Sequence, residues 1–123
     1  MGYLTTHILD TTKGIAAAGV KIHLYQHTTD GQRQLIHSTI SNNDGRCNQP
    51  LLQADRFIAG VYELEFVIDE YFAKQEPSTL ASKQECPHFL NTVVIRFGIG
   101  DENAHYHIPL LVSPYSYSTY RGS

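Results

Sequence analysis

Apolar side chains recur at every second position over most of this chain, and that period of two is the strongest restriction on its fold. Leu4, Thr6 and Ile8 alternate with more polar neighbours, as do Val20, Ile22 and Leu24, then Tyr62, Leu64 and Phe66. The same pattern returns in Val93, Ile95, Phe97 and Ile99, and in Tyr106, Ile108, Leu110 and Val112. Successive side chains of a strand point to opposite faces, so each set defines the buried face of a half-covered strand. Turn chemistry separates them at Asp10 to Gly14, Thr28 to Gly31, Ser41 to Gly45 and Gly100 to Asn103. A further strand is expected from Arg33 to Ile40, although adjacent Leu35 and Ile36 blur its alternation. Only one stretch reads as helical, with Asp69 as cap and Glu70 to Gln75 giving about two turns before Pro77. Ser78 to His88 reads as a polar loop. The expectation is a mainly β protein, an antiparallel β-sandwich of seven to eight strands with one short helix, forming a single domain over residues 1–123.

Charge and composition remove several functional classes. A net charge of -3 with nine Lys and Arg supplies no basic surface for nucleic acid, so none is expected as a partner. No apolar run reaches the length of a membrane helix, and residues 1–7 lack the basic and apolar regions of a secretory signal. Cys47 and Cys86, far apart in such a chain, are expected as reduced thiols, with the cytoplasm as location.

Seven histidines prompt a search for chemistry. His105 and His107 share one strand face, opposite to the apolar face of Tyr106 and Ile108. Zinc needs at least three protein ligands, and no third stands at a fixed spacing, so no metal or other cofactor is expected. His7 also faces away from the core side of its strand. Arg46 follows a strong turn directly, and its charge would favour a thiolate at Cys47. No serine lies in a Gly-x-Ser-x-Gly elbow, and no glycine-rich phosphate loop is present. The chain closes on Tyr120, Arg121, Gly122 and Ser123. Imidazole can take a proton from water near neutrality, and a guanidinium fork can hold a planar anion and a developing oxyanion. Those residue types suit hydrolysis of a small, planar, hydrogen-bond-rich anion.

Three blocks then converge on a family. Leu4-Thr5-Thr6-His7-Ile8-Leu9-Asp10, Asn43-Asp44-Gly45-Arg46 and His105-Tyr106-His107-Ile108-Pro109-Leu110-Leu111, with the Tyr120-Arg121-Gly122-Ser123 end, make a chain that resembles the hydroxyisourate hydrolase branch of the transthyretin-related family. The likeness runs through nearly the whole chain and is weakest from Ser78 to Phe89. It implies a transthyretin (prealbumin-like) sandwich assembled as a homotetramer, a dimer of dimers, with sites in the channel between dimers. It further implies opening of the 5-hydroxyisourate ring by water, with no cofactor. Carried onto this chain, His7, Arg46, His107 and Ser123 are the expected catalytic residues, and either histidine can serve as the base. Tyr120, Arg121 and Gly122 join them in binding substrate, and His105 is a neighbour. The reading from another class is a transthyretin-like carrier of a small aromatic ligand, which would line the same channel with apolar and hydroxyl groups.

Overall fold

The computed structural model describes residues 1–75 and 86–122, so most of the expected polar loop and Ser123 lie outside the described residues. Among the described residues, nine strands form two sheets: β1 (Tyr3–Asp10), β2 (Ile15–Ala16), β3 (Lys21–His27), β4 (Arg33–Ile40), β5 (Leu52–Gln53), β6 (Gly60–Val67), β7 (Thr92–Ile99), β8 (His105–Val112) and β9 (Tyr117–Thr119). The count exceeds the expected seven to eight because β2 and β5 are two-residue pieces along β1, too short to carry an alternation. One sheet has the order β2-β1-β8-β9, with β5 also on β1, and the other runs β4-β3-β6-β7.

The apolar sets predicted above meet between the sheets. Leu4, Ile8, Ile22, Leu24, Tyr62, Leu64, Phe66 and Leu110 are wholly buried. At roughly 1.5–3 kcal/mol for each large apolar side chain removed from water, this layer is the main favourable contribution to folding. Where a buried ring carries a hydroxyl, the hydroxyl is bonded: Tyr62 donates to the Ile58 carbonyl at 2.7 Å. The blur at Leu35 and Ile36 is a bulge, since Leu24 pairs with His37 and Tyr25 with Leu35, leaving Ile36 unmatched. Glu63 lies on the outer face of β6 as expected but is 5% exposed, covered by His27, Arg33 and Arg96, all of which bond its carboxylate.

The helix α1 (Ile68–Gln75) starts two residues earlier than the predicted Glu70, so Asp69 lies inside it rather than capping it, and it buries Ile68, Tyr71 and Phe72. Asp69 sits in its first turn, accepting the Glu70 N–H and the Asn91 amide. Tyr71 fixes the helix to the sheet by donating to buried Asp10 at 2.8 Å. The other Asp10 oxygen accepts backbone N–H groups of Thr12 and Lys13 in the turn that follows β1.

One pairing departs from the antiparallel expectation. β1 and β8 run parallel, in register from Tyr3 opposite His105 to Asp10 opposite Val112. Neighbours joined by a tight turn must be antiparallel, whereas the connection from β1 to β8 passes through the entire second sheet and leaves either direction open. This parallel pair carries the candidate site.

Candidate active site

On the outer face of the parallel pair, β1 contributes Tyr3, Thr5 and His7, and β8 contributes His105 and His107. The register sets Thr5 opposite His107 and Tyr3 opposite His105. The Thr5 Oγ1 lies 2.7 Å from His105 Nε2 and 2.8 Å from His107 Nδ1, so one hydroxyl joins both rings. The Tyr3 ring stacks on His105 with centroids 4.0 Å apart and planes 12° from parallel.

Arg46 reaches the same face through a tightly built turn. Ser41 is buried; its hydroxyl donates to the Ala17 carbonyl and accepts the Val20 N–H. The Asn42 side-chain oxygen accepts the N–H groups of Asp44 and Arg46. Gly45 lies at φ +73°, and a Cβ there would stand 2.4 Å from the Ile8 carbonyl oxygen. Glycine is therefore required twice, for a left-handed backbone and for close approach. The Ile8 N–H donates to the Gly45 carbonyl at 2.7 Å, which clamps the turn on β1 beside His7. Thr5, Arg46, Cys47, His105 and His107 together line an open hollow of about 330 Å³.

Electrostatics favour neutral imidazoles here. Burial lowers the pKa of His107, and the positive charge of Arg46 and the neighbouring rings of His105 and His7 lower it further. Burial and Arg46 also lower the pKa of His7, against a smaller opposing effect of its hydrogen bond to the Asp44 carbonyl. The site thus pairs a fixed guanidinium cation with two uncharged nitrogen bases. Burial raises the Cys47 pKa, so Cys47 stays a thiol despite following Arg46. Among the described residues, no group of three or more His, Cys, Asp or Glu is placed to hold a metal ion.

The chain end divides around β8. Gly122 pairs with His107, donating its N–H to the His107 carbonyl at 2.7 Å. A Cβ on Gly122 would come within 2.7 Å of His107 Cδ2, so glycine lets the backbone lie directly on the imidazole. Arg121 lies elsewhere: its guanidinium sits 4.1 Å over the ring of Tyr106, whose place in β8 is on the inner face. Tyr120 and Arg121 line a second, largely apolar hollow of about 290 Å³ with Ile95, Phe97, Tyr106 and Ile108. Within one chain His7, Arg46, His107 and Gly122 therefore gather, Tyr120 and Arg121 flank the neighbouring hollow, and Ser123 lies outside the described residues.

Sequence reasoning gave no role to Thr5. Its signal was available, because Thr5 shares a strand face with His7 at a spacing of two. Its partners on β8 became visible only with the parallel register.

A two-layer β-sandwich with one short α-helix among the described residues, and a His, Arg and Thr cluster on one outer sheet face, defines the class. The transthyretin family model, described as the HIUase/Transthyretin family, matches residues 4–122, and the chain belongs to that family. It is 49% identical over 124 residues to the 5-hydroxyisourate hydrolase of Pseudomonas aeruginosa, covering 100% of this chain and 93% of that one. The structure superposes on (S)-allantoin synthase with a TM-score of 0.88 at 41% identity, covering 99% of this chain and 44% of the other. It also superposes on transthyretin from Sparus aurata with a TM-score of 0.83 at 31% identity, covering 97% and 95% of the two chains.

Proposed function

We propose that this chain hydrolyses 5-hydroxyisourate, opening its six-membered ring to 2-oxo-4-hydroxy-4-carboxy-5-ureidoimidazoline in urate catabolism. The observation that carries the reading is the meeting of Arg46 and His107 at one open hollow, with His7 close enough to feel the charge of Arg46 and to act on His107, in a chain with full-length likeness to a hydrolase of that name. A product bearing a new carboxylate and a new ureido group requires water to cleave the ring amide between a carbonyl carbon and a urea nitrogen. Water must lose a proton as it attacks, negative charge must grow on the carbonyl oxygen, and the departing nitrogen must regain a proton.

Each need has a group of suitable chemistry. A neutral imidazole with a lowered pKa accepts the proton of water at neutral pH, and general-base help of this kind contributes ~10²- to 10⁴-fold. We assign the base to His107 and the orientation of water or substrate to His7, whose ring is tied to the Asp44 carbonyl. Arg46 holds the substrate's acceptor atoms and neutralises the oxyanion as it forms. Gly122 shapes the wall beside His107, and Tyr120, Arg121 and Ser123 complete the pocket in the assembled protein. The assembly belonging to this reading is a homotetramer, a dimer of dimers, in the cytoplasm.

The test is turnover of freshly generated 5-hydroxyisourate, followed by loss of its ultraviolet absorbance. Decay accelerated by the protein, and restored to the spontaneous rate by Arg46→Ala, is the expected result. A decay rate unchanged by the wild-type chain would overturn the hydrolase reading and leave a binding protein of the same fold.

A further inference from the structure

The hydroxyl of Thr5 stands between two imidazoles that face one hollow, and this geometry constrains where their protons sit. A hydroxyl carries one hydrogen, and a neutral imidazole carries one N–H and one bare nitrogen. Among the described residues, Thr5 Oγ1 hydrogen-bonds His105 Nε2 and His107 Nδ1. If the hydroxyl donates to one ring, the other ring must donate to the hydroxyl. Because the two rings use different atoms, this fixes them in the same tautomer, both protonated on Nδ1 or both on Nε2. Only the first leaves His107 Nε2 bare and able to accept a proton.

We propose that Thr5 is a positioning residue that sets the His107 tautomer, and that it links His107 to His105 as a proton relay serving the hydrolytic step. The proposal rests on the reading of His107 as the base. In the relay, an O–H bond of water breaks as hydroxide adds to the substrate carbonyl, and that proton forms the Nε2–H of His107. His107 passes its Nδ1 proton to Thr5 Oγ1, and Thr5 passes its own hydroxyl hydrogen to His105 Nε2. His107 is then neutral and carries an Nε2–H, while His105 is the imidazolium. Collapse runs the chain in reverse: the departing nitrogen takes the Nε2 proton, and His107 regains its Nδ1 proton through Thr5 from His105.

Placement of the charge favours this route. Arg46 opposes a cation on His107, as do the rings of His7 and His105, while Cys47 beside them is held as a thiol. A cation on His105 instead lies against the face of the Tyr3 ring, 4.0 Å away, where the ring's quadrupole attracts it. Thr5 is held in place to serve both rings because the backbone register sets it opposite His107.

The test compares Thr5→Val, which keeps the shape and loses the hydroxyl, with Thr5→Ser, His105→Phe, the Thr5→Val/His105→Phe double variant and His107→Asn, in full-length protein. Expected is a fall in kcat of about 10-fold or more for T5V and for H105F, with KM changed less than about 2-fold and the acid limb of the pH profile displaced in both. The double variant should be no worse than either single one, because a relay broken twice loses nothing more. T5S should recover most of kcat. Wild-type kcat and pH profile in T5V, with H107N impaired, would overturn the relay and leave the hydrolase reading standing. A wild-type chain that fails to accelerate decay would overturn both. Should T5V not fold, nitrogen-15 shifts of the wild-type imidazoles decide: His105 and His107 both protonated on Nδ1 support the relay, and unlike tautomers, or both rings protonated on Nε2, refute it.

Discussion

At the scale of single residues, the site depends on keeping imidazoles neutral beside a permanent cation. His107→Asn should lower kcat by about 10²-fold or more if the ring moves a proton, and steady-state kinetics at neutral pH will report it. Both site histidines have pKa values held below the ordinary imidazole value of 6.5, by burial first and Arg46 second. The base is therefore intact above pH 6.5 and is lost as pH falls through the lowered value. The acid limb of kcat/KM should have its midpoint below about 6.5, and replacing Arg46 by Gln should raise that midpoint while weakening substrate binding. The same sign applies to stability: half-buried histidines held neutral favour folding above the unfolded-state pKa, and the contribution is lost as pH falls through the lowered folded-state value. Candidate residues of these types were legible in the sequence, since His7, Arg46 and His107 can be picked out as outward-facing or turn-flanking. Their convergence was not, because no spacing along the chain encodes proximity between β1, the turn before Arg46 and β8.

At the scale of elements, two backbone approaches set the geometry. Gly45 folds the turn onto β1, and its replacement by Ala meets both a left-handed backbone and the Ile8 carbonyl. Gly45→Ala should lower the midpoint of thermal unfolding, by the equivalent of ~1–3 kcal/mol, and lower activity beyond that loss by moving Arg46. Gly122→Ala has the opposite balance. Its Cβ would press on the His107 ring at the chain end, so kcat should fall while the thermal midpoint changes little; equal kcat would remove Gly122 from the site. The helix offers a purely structural contrast. Tyr71→Phe removes one of the donors to buried Asp10 and should cost ~1–3 kcal/mol in denaturant unfolding.

For the molecule as a whole, the same sandwich supports a site on one sheet face and a largely apolar cleft around Tyr106 and Arg121 at its side. The proposed tetramer puts a second copy beside these surfaces, and light scattering on the purified protein should give the mass of four chains. A monomer with full hydrolytic activity would show that one chain completes the site unaided.

The order of apolar and polar residues determined which faces are buried, the sandwich class and the short helix, because burial follows a local period that any reader of the chain can see. It also marked the turns, where Asn, Asp and Gly act through their own backbones. Only the tertiary structure decided that β1 and β8 run parallel, that Thr5 bridges two imidazoles, and that Glu63 is buried by three partners. Those outcomes arise between segments far apart in the chain. Their energies depend on register and mutual approach, quantities that exist only once the two sheets have closed on their core.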